Sequence, residues 1–432
     1  MGRWRPRLLA GTALVVAVGW LTLVPAGSAG AQAGQPWRAY VVSNARDAVS
    51  VINTGTGAVA ATIDVGHSPI GIQLTPDART GYVANNGSGT VSVIDTARDV
   101  VTTTIGVGAG PAFVAISPDG SRAYVTDNQA NTVSVINTAT NLVIATIPVG
   151  DKPIGVAVSP DGRSILVADN GAGTVSVINA ASNRVTTTID VGTGPTDIAF
   201  SPDGRRAYLT ENGDGTVSVI NTAADLVVAT VPVGDKPIGV AVSPDGTKVY
   251  AGNSGADTVS VIDAASGAVK QTVPGNSGPF GLATTPDGAL VYVAGANSTA
   301  VTVIGAGGTG SIEVGAVPTG VAITPDQAPV ARLAIRPAPA GNPSTLDASA
   351  STVEFGTIAS YRWDFGDGST ATTTKPVVAH RYPTPGDYPA TVTLTSSGRT
   401  STSLVFSGRT VSRNGGPQAV TRATVAIPAG VP

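Results

Sequence analysis

The sequence predicts an all-β protein, a seven-bladed β-propeller followed by a β-sandwich, and three observations carry that expectation. Tyr82, Tyr124, Tyr208, Tyr250 and Tyr292 stand at multiples of 42 residues from Tyr40, with Leu166 in the one missing slot. Around them Val91-Ser92-Val93-Ile94 returns at 133–136, 175–178, 217–220 and 259–262, while Pro111, Pro153, Pro195, Pro237 and Pro279 keep the same step. The period then stops after Asp326, where prolines cluster and a different aromatic pattern begins. A repeat of this length with four short strand-like runs per copy marks a propeller, because each copy is one small sheet that buries its faces only against its neighbours.

One copy, residues 153–194, shows how the residues make the sheet. Residues 153–158 form a short strand of small side chains, suited to the crowded centre of a ring. Ser159-Pro160-Asp161-Gly162 is a turn, with Pro fixing φ at its second position and Gly accepting a left-handed last one. Residues 165–168 make the second strand, Asp169-Asn170-Gly171 opens a hairpin loop, 174–178 is the third strand and 184–191 the fourth. Val175, Val177 and Ile178 place apolar groups on both faces of one strand, as expected where neighbouring blades cover both sides.

The chain enters this pattern at Arg38 with a second strand, and its last copy ends on an inner strand near residues 318–324. Three N-terminal strands and one C-terminal strand therefore complete blade seven and lock the ring, which removes a sheet edge. Ala123-Tyr124-Val125-Thr126-Asp127-Asn128 followed by Thr132-Val133-Ser134-Val135-Ile136-Asn137 resembles the YVTN-family β-propeller repeat over seven copies. The resemblance implies an exported surface-layer or binding protein. Related rings include lactonases and quinone or haem enzymes, so it implies no single activity.

The second module carries Leu346-Asp347-Ala348-Ser349, Tyr361-Arg362-Trp363-Asp364-Phe365-Gly366-Asp367-Gly368-Ser369, His380-Arg381-Tyr382 and Gly386-Asp387-Tyr388. These resemble the PKD domain, an immunoglobulin-like β-sandwich, and imply a spacer or adhesive unit. The polar stretch 396–417 leaves the register of the last strands open. Asp364 and Asp367 are expected to tie a tight hairpin through side-chain-to-backbone bonds. The expected organisation is a secretory signal peptide over 1–33, the propeller over 34–326, the PKD-like sandwich over 327–428 and a tail of 429–432.

The signal is read from Arg3, Arg5 and Arg7, the apolar run 8–24 and the small residues ending at Ala33, with an uncleaved membrane anchor as the competing reading. Cleavage removes three arginines and no acid, taking the net charge from −3 to −6. Such a chain lacks the basic footprint of a nucleic-acid binder. The absence of cysteine excludes disulfides, thiolate metal sites and a cysteine nucleophile.

No catalytic group, cofactor or metal site is expected. Gly305-Ala306-Gly307-Gly308-Thr309-Gly310 matches a dinucleotide fingerprint letter for letter but falls at a strand-to-strand turn with no helix after it. His67 and His380 are the two histidines, too few for bis-histidine haem or zinc ligation. A triad would need His67, Ser68 and an acid that the local sequence does not supply.

Comparison of the copies directs attention to one rim. One loop position reads Ser43, Asn85, Asp127, Asp169, Glu211, Asn253, Gly295, and the next is Asn from Asn44 to Asn212. Asp127, Asn128, Asp169, Asn170, Glu211 and Asn212 are therefore the candidate ligand-binding residues, able to hold a cation or bond sugar hydroxyls. The alternative is that they only cap turns. The functional expectation is a non-enzymatic, extracellular or surface-associated binding protein whose partner is a protein or polysaccharide of the envelope or matrix. An extracellular propeller enzyme of lactonase or lyase type is the alternative.

Overall fold

A computed structural model describes residues 34–402, 405–407 and 410–429. The expected signal peptide and the end of the tail lie outside the described residues. Seven four-stranded antiparallel sheets form the ring: blades 1 to 6 run 69–106, 111–148, 153–190, 195–232, 237–274 and 279–313. Blade 7 is assembled from Pro318–Ile323 and the N-terminal strands Arg38–Ser43, Ala48–Asn53 and Ala58–Asp64, so the ring closes with three strands from one end of the propeller sequence and one from the other.

The repeat explains its own geometry. Within each blade the third strand is buried along its apolar core, Val133-Ser134-Val135-Ile136 for example, because adjacent blades cover both faces. The outermost strand is mostly exposed, with one inward anchor such as Ile147. At the rim carrying the first-to-second turns, Asp119 Oδ1 accepts hydrogen bonds from the Ser117 hydroxyl and the Ser121 N–H, and Gly120 takes φ 72°. The third-to-fourth turns on the same rim use Asn137, whose Oδ1 accepts the N–H groups of Ala139 and Thr140. Both are local side-chain-to-backbone turns that need no tertiary help.

At the centre the inner strands converge until backbone meets backbone. A Cβ on Gly155 would lie 2.7 Å from Thr196 O, and one on Gly239 only 1.9 Å from Phe280 O. Glycine at this step is a packing requirement. Blades 2 and 4 depart from it with Phe113 and Asp197, and in each case a threonine on the next strand, Thr126 or Thr210, accepts the N–H of the larger residue.

The second module is a β-sandwich with a core of Leu346, Ile358, Tyr361, Trp363, Phe365, Tyr382, Val392 and Leu394. As expected, Asp364 Oδ1 accepts the Gly366 N–H and Asp367 Oδ1 the Ser369 N–H. His380 Nε2 lies 2.7 Å from Asp367 Oδ2, and this partner helps hold the Asp367 carboxyl down at about 2. The polar stretch after Ser396 contains two short strands, and the Thr410–Asn414 strand pairs in parallel with Asp326–Gln327. The propeller and sandwich are joined further by Gly34 and Gln35, whose N–H groups donate to Gly356 O and Glu354 O, and by Gln327 Nε2 donating to Pro76 O.

Candidate functional site

Asp127, Asp169 and Glu211 stand at equivalent positions of blades 2, 3 and 4, at the end of the second strand, on the rim where the sequence places them. Their carboxyl groups do not face solvent: the three residues are at most 2 % exposed. Asp127 Oδ2 accepts the hydroxyls of Thr132 and Ser134, at 2.9 and 2.7 Å. Asp169 repeats this with Thr174 and Ser176, and Glu211 with Thr216 and Ser218, Glu211 also accepting the Gly192 N–H at 2.8 Å. Burial pushes the Asp127 carboxyl up, and raises that of Asp169 to about 6. Both aspartates leave Oδ1 buried with no hydrogen-bond partner among the described residues.

The neighbouring amides are also turned inward. Nδ2 of Asn44, Asn86, Asn128, Asn170 and Asn212 donates to the carbonyl of Pro69, Pro111, Pro153, Pro195 and Pro237 respectively, the first residue of the next blade's inner strand. The six candidate residues thus form two intramolecular systems, one fastening strands within a blade and the other fastening blade to blade.

What the rim offers to solvent is the loop layer outside these residues, where Asp151, Lys152, Asp214, Asp235, Lys236 and Asp257 are exposed. His67 stands here too, with Nδ1 2.7 Å from Asp47 Oδ2. Asp47 is the acid missing from the sequence reading, and its hydrogen bonds to His67 and Ser68 hold its carboxyl below the usual range. It reaches Ser68 through the backbone N–H, and no hydroxyl is bonded to His67 Nε2 among the described residues. The pair clasps the loop between blades 7 and 1 without forming a nucleophile–base relay.

The central channel was not legible from the repeat. Phe113 of blade 2 and Phe280 of blade 6 meet across it, rings 6.2 Å apart and 5° from parallel, with Ile70 and Ile154 packed on the same cluster. Asp197 lies beside this plug, 1 % exposed, its carboxylate accepting the N–H groups of Ile198 and Val240. The signal for both departures was present in the glycine column of the inner strands, where Phe113 and Asp197 are the two residues other than glycine.

Comparisons with known proteins agree with this architecture. A lactonase seven-bladed β-propeller family model matches residues 153–314, a YNCE-like β-propeller model residues 100–204, and a PKD domain model residues 326–411. The chain is a seven-bladed lactonase/YNCE-like β-propeller with a C-terminal PKD domain. Among solved structures, hydrazine synthase of Kuenenia stuttgartiensis is similar at 27 % identity and TM-score 0.58, over 62 % of this chain and 91 % of that one. A protein of unknown function from Desulfotomaculum acetoxidans aligns at 21 % identity and TM-score 0.60, over 66 % and 98 %. A Bacteroides fragilis protein provisionally named a 6-phosphogluconolactonase aligns at 19 % and 0.57, over 67 % and 98 %. The last two show the shared fold alone. No curated protein matches the chain. Among the described residues, no helix of this propeller–PKD chain is long and apolar enough to cross a membrane.

Proposed function

We propose that this propeller–PKD protein is an extracellular or surface-associated binding protein that recognises an envelope or matrix protein or polysaccharide through its rim loops. The PKD domain serves as spacer or second contact. The observation that carries this reading is the apolar plug at the centre of the ring, Phe113 on Phe280 with Ile70 and Ile154. Where a propeller enzyme concentrates polar groups about its axis, this ring packs side chains. Its exposed charges, Asp151-Lys152 and Asp235-Lys236, sit on blade-connecting loops of a rigid scaffold, the usual place for recognition.

The test is co-sedimentation of the protein with envelope preparations from its own cells, beside a D151S/K152S/D235S/K236S variant and a chain ending at residue 327. These substitutions touch exposed side chains, so circular dichroism should be unchanged. Saturable sedimentation lost in the loop variant supports the reading, and loss only on removing the sandwich moves the contact to the PKD domain. Failure of the intact protein to sediment overturns it. The match to a lactonase propeller model over residues 153–314 favours a second reading as a lactone hydrolase. Lactone-opening activity in the intact chain, measured by proton release, would establish that instead.

A further inference from the structure

The grooves between blades on the turn rim are lined by a tyrosine from six of the seven blades, joined by an arginine in blades 7, 2 and 4, and the groove at blade 3 lacks both. In blade 7, Arg38 ion-pairs with Asp99 of blade 1 and donates to Thr96 O at 2.8 Å, while its guanidinium lies 5.7 Å from the centre of the Tyr40 ring. In blade 2, Arg122 donates to Ala180 O at 2.6 Å and to Asn183 Oδ1 at 3.4 Å. In blade 4, Arg206 donates to Ala264 O at 2.7 Å. Blade 1 uses the tyrosine alone, Tyr82 donating to Asn141 Oδ1 at 2.9 Å.

Blade 3 has Ser164 and Leu166 in these two places. Between blades 3 and 4 lies a cavity of about 360 Å³ whose walls include Leu166, Val177 and Phe200, with Thr222 and Asp225 at the positions that Thr96 and Asp99 occupy in blade 1. No arginine, lysine or histidine lines it. The Asp225 carboxylate is partly buried and has no hydrogen-bond partner among the described residues, and desolvation raises its pKa. Asp161 and Asp203 also line the cavity, but the serines of their own turns bond them.

We infer that this groove is a binding site for an organic cation, a guanidinium or amine carried on an apolar body, with Asp225 and Thr222 O taking the charged head and Leu166, Val177 and Phe200 the body. The chain itself holds such a group elsewhere: at the junction of blades 7 and 1, Asp99 is the same carboxylate position, already occupied by the Arg38 guanidinium. A metal ion is the poorer fit, since among the described residues no three carboxylate or imidazole groups gather closely enough to share one. The site lies on the rim opposite the connecting loops and is independent of the function proposed above.

The experiment is calorimetric titration of the full chain with phenethylguanidinium at low salt, beside phenethyl alcohol as the uncharged control. A second arm uses an N-acetylated peptide with one arginine flanked by an aromatic residue. Binding of the guanidinium and not the alcohol is expected, weakening as salt is added. Asp225→Asn should weaken it at least tenfold, and asparagine already occupies the equivalent positions 141 and 183, so the turn will hold. The double variant S164R/L166Y restores the filler of the sister blades, and should abolish binding while raising Tm. Tighter binding of the peptide than of the free guanidinium would assign the site to a polypeptide side chain, and the reverse to a small molecule. Equal affinity in the Asp225→Asn or S164R/L166Y variant, or no binding of either probe, overturns the inference.

Discussion

Blade 6 meets the same packing constraint as blades 1 to 5 with the two residues exchanged. In the first five, a glycine of the blade-connecting loop, Gly66, Gly108, Gly150, Gly192 or Gly234, packs under a large polar side chain, Asn85, Asp127, Asp169, Glu211 or Asn253. A Cβ on Gly108 would sit 2.5 Å from Asp127 Cγ, and one on Gly234 2.6 Å from Asn253 Cγ. In blade 6 the loop residue is Asn276 and the strand residue Gly295, whose added Cβ would lie 2.4 Å from Asn276 Cγ. Asn276 Nδ2 then donates to Val293 O and Ala300 O, doing from the loop side what the other side chains do from the strand side. One polar side chain fills each pocket, and either partner can supply it. The carboxylates at this position are therefore space-filling hydrogen-bond anchors that happen to be acidic.

The strongest way to break that comparison is to put two large residues in one pocket. Gly295→Asn adds a side chain where Asn276 already lies, and overpacking with a displaced buried amide should cost about 3 kcal/mol. Asn276→Gly alone should cost about 1–2 kcal/mol through a void and two lost bonds. The double variant N276G/G295N reproduces blades 1 and 5, and should recover most of the loss. Urea denaturation of all four proteins gives the coupling energy, expected at about 3–4 kcal/mol in favour of the double variant. Additive single effects would show that the two positions do not share a pocket.

A smaller effect separates the acids from the amides. Blades 1 and 5 carry Asn85 and Asn253, whose Nδ2 donates to Thr90 and Ser92 or to Thr258 and Ser260. Asp169 is raised to about 6 by burial, against an ordinary 3.8. The folded state therefore holds its proton more tightly than the unfolded one, so the contribution of Asp169 to stability is greatest below pH 4 and is lost as pH rises through 6. Two pKa units correspond to about 3 kcal/mol, an upper figure for a group that is not wholly desolvated. Asp169→Asn should accordingly stabilise the ring by about 1–2 kcal/mol at pH 7.5 and leave it unchanged near pH 4. Thermal denaturation across that range checks the sign, and a gain that is independent of pH would remove ionisation as its cause.

How far the sequence reveals these features depends on whether each copy repeats them. Blade count, strand order and the closure of blade 7 follow from the 42-residue step, since periodic burial leaves periodic letters. The Ser-Pro-Asp-Gly and Asn turns are local chemistry and equally legible. The direction of the Asp127, Asp169 and Glu211 side chains is not. Polar letters at a strand end read as exposed, and only the Thr and Ser hydroxyls five and seven residues later, Thr132 and Ser134 for Asp127, show that partners wait inside. The Phe113–Phe280 stack was hidden for a different reason: the two residues are 167 positions apart and meet across the ring axis. No local pattern predicts that contact, although Phe113 in a glycine column announces a departure.

The finest comparison concerns the blade-to-blade amides. Five junctions carry an Asn clasp, whereas Ser254 and Ala296 stand in its place at the junctions of blades 5–6 and 6–7. Asn128→Ala should cost about 1 kcal/mol, the usual net worth of one hydrogen bond. Ser254→Asn should return somewhat less, about 0.5 kcal/mol, because Pro279 lies 25 residues on, the spacing of every existing clasp. Ala296→Asn should return nothing. Blade 6 joins its third and fourth strands through the two residues between Gly305 and Gly308, which brings Pro318 to 22 residues from Ala296 and changes the approach of the next inner strand. Chemical denaturation of the two gain variants distinguishes spacing from residue type: stabilisation by Ser254→Asn alone means the clasp depends on the loop that delivers the carbonyl, while stabilisation by both means the amide suffices.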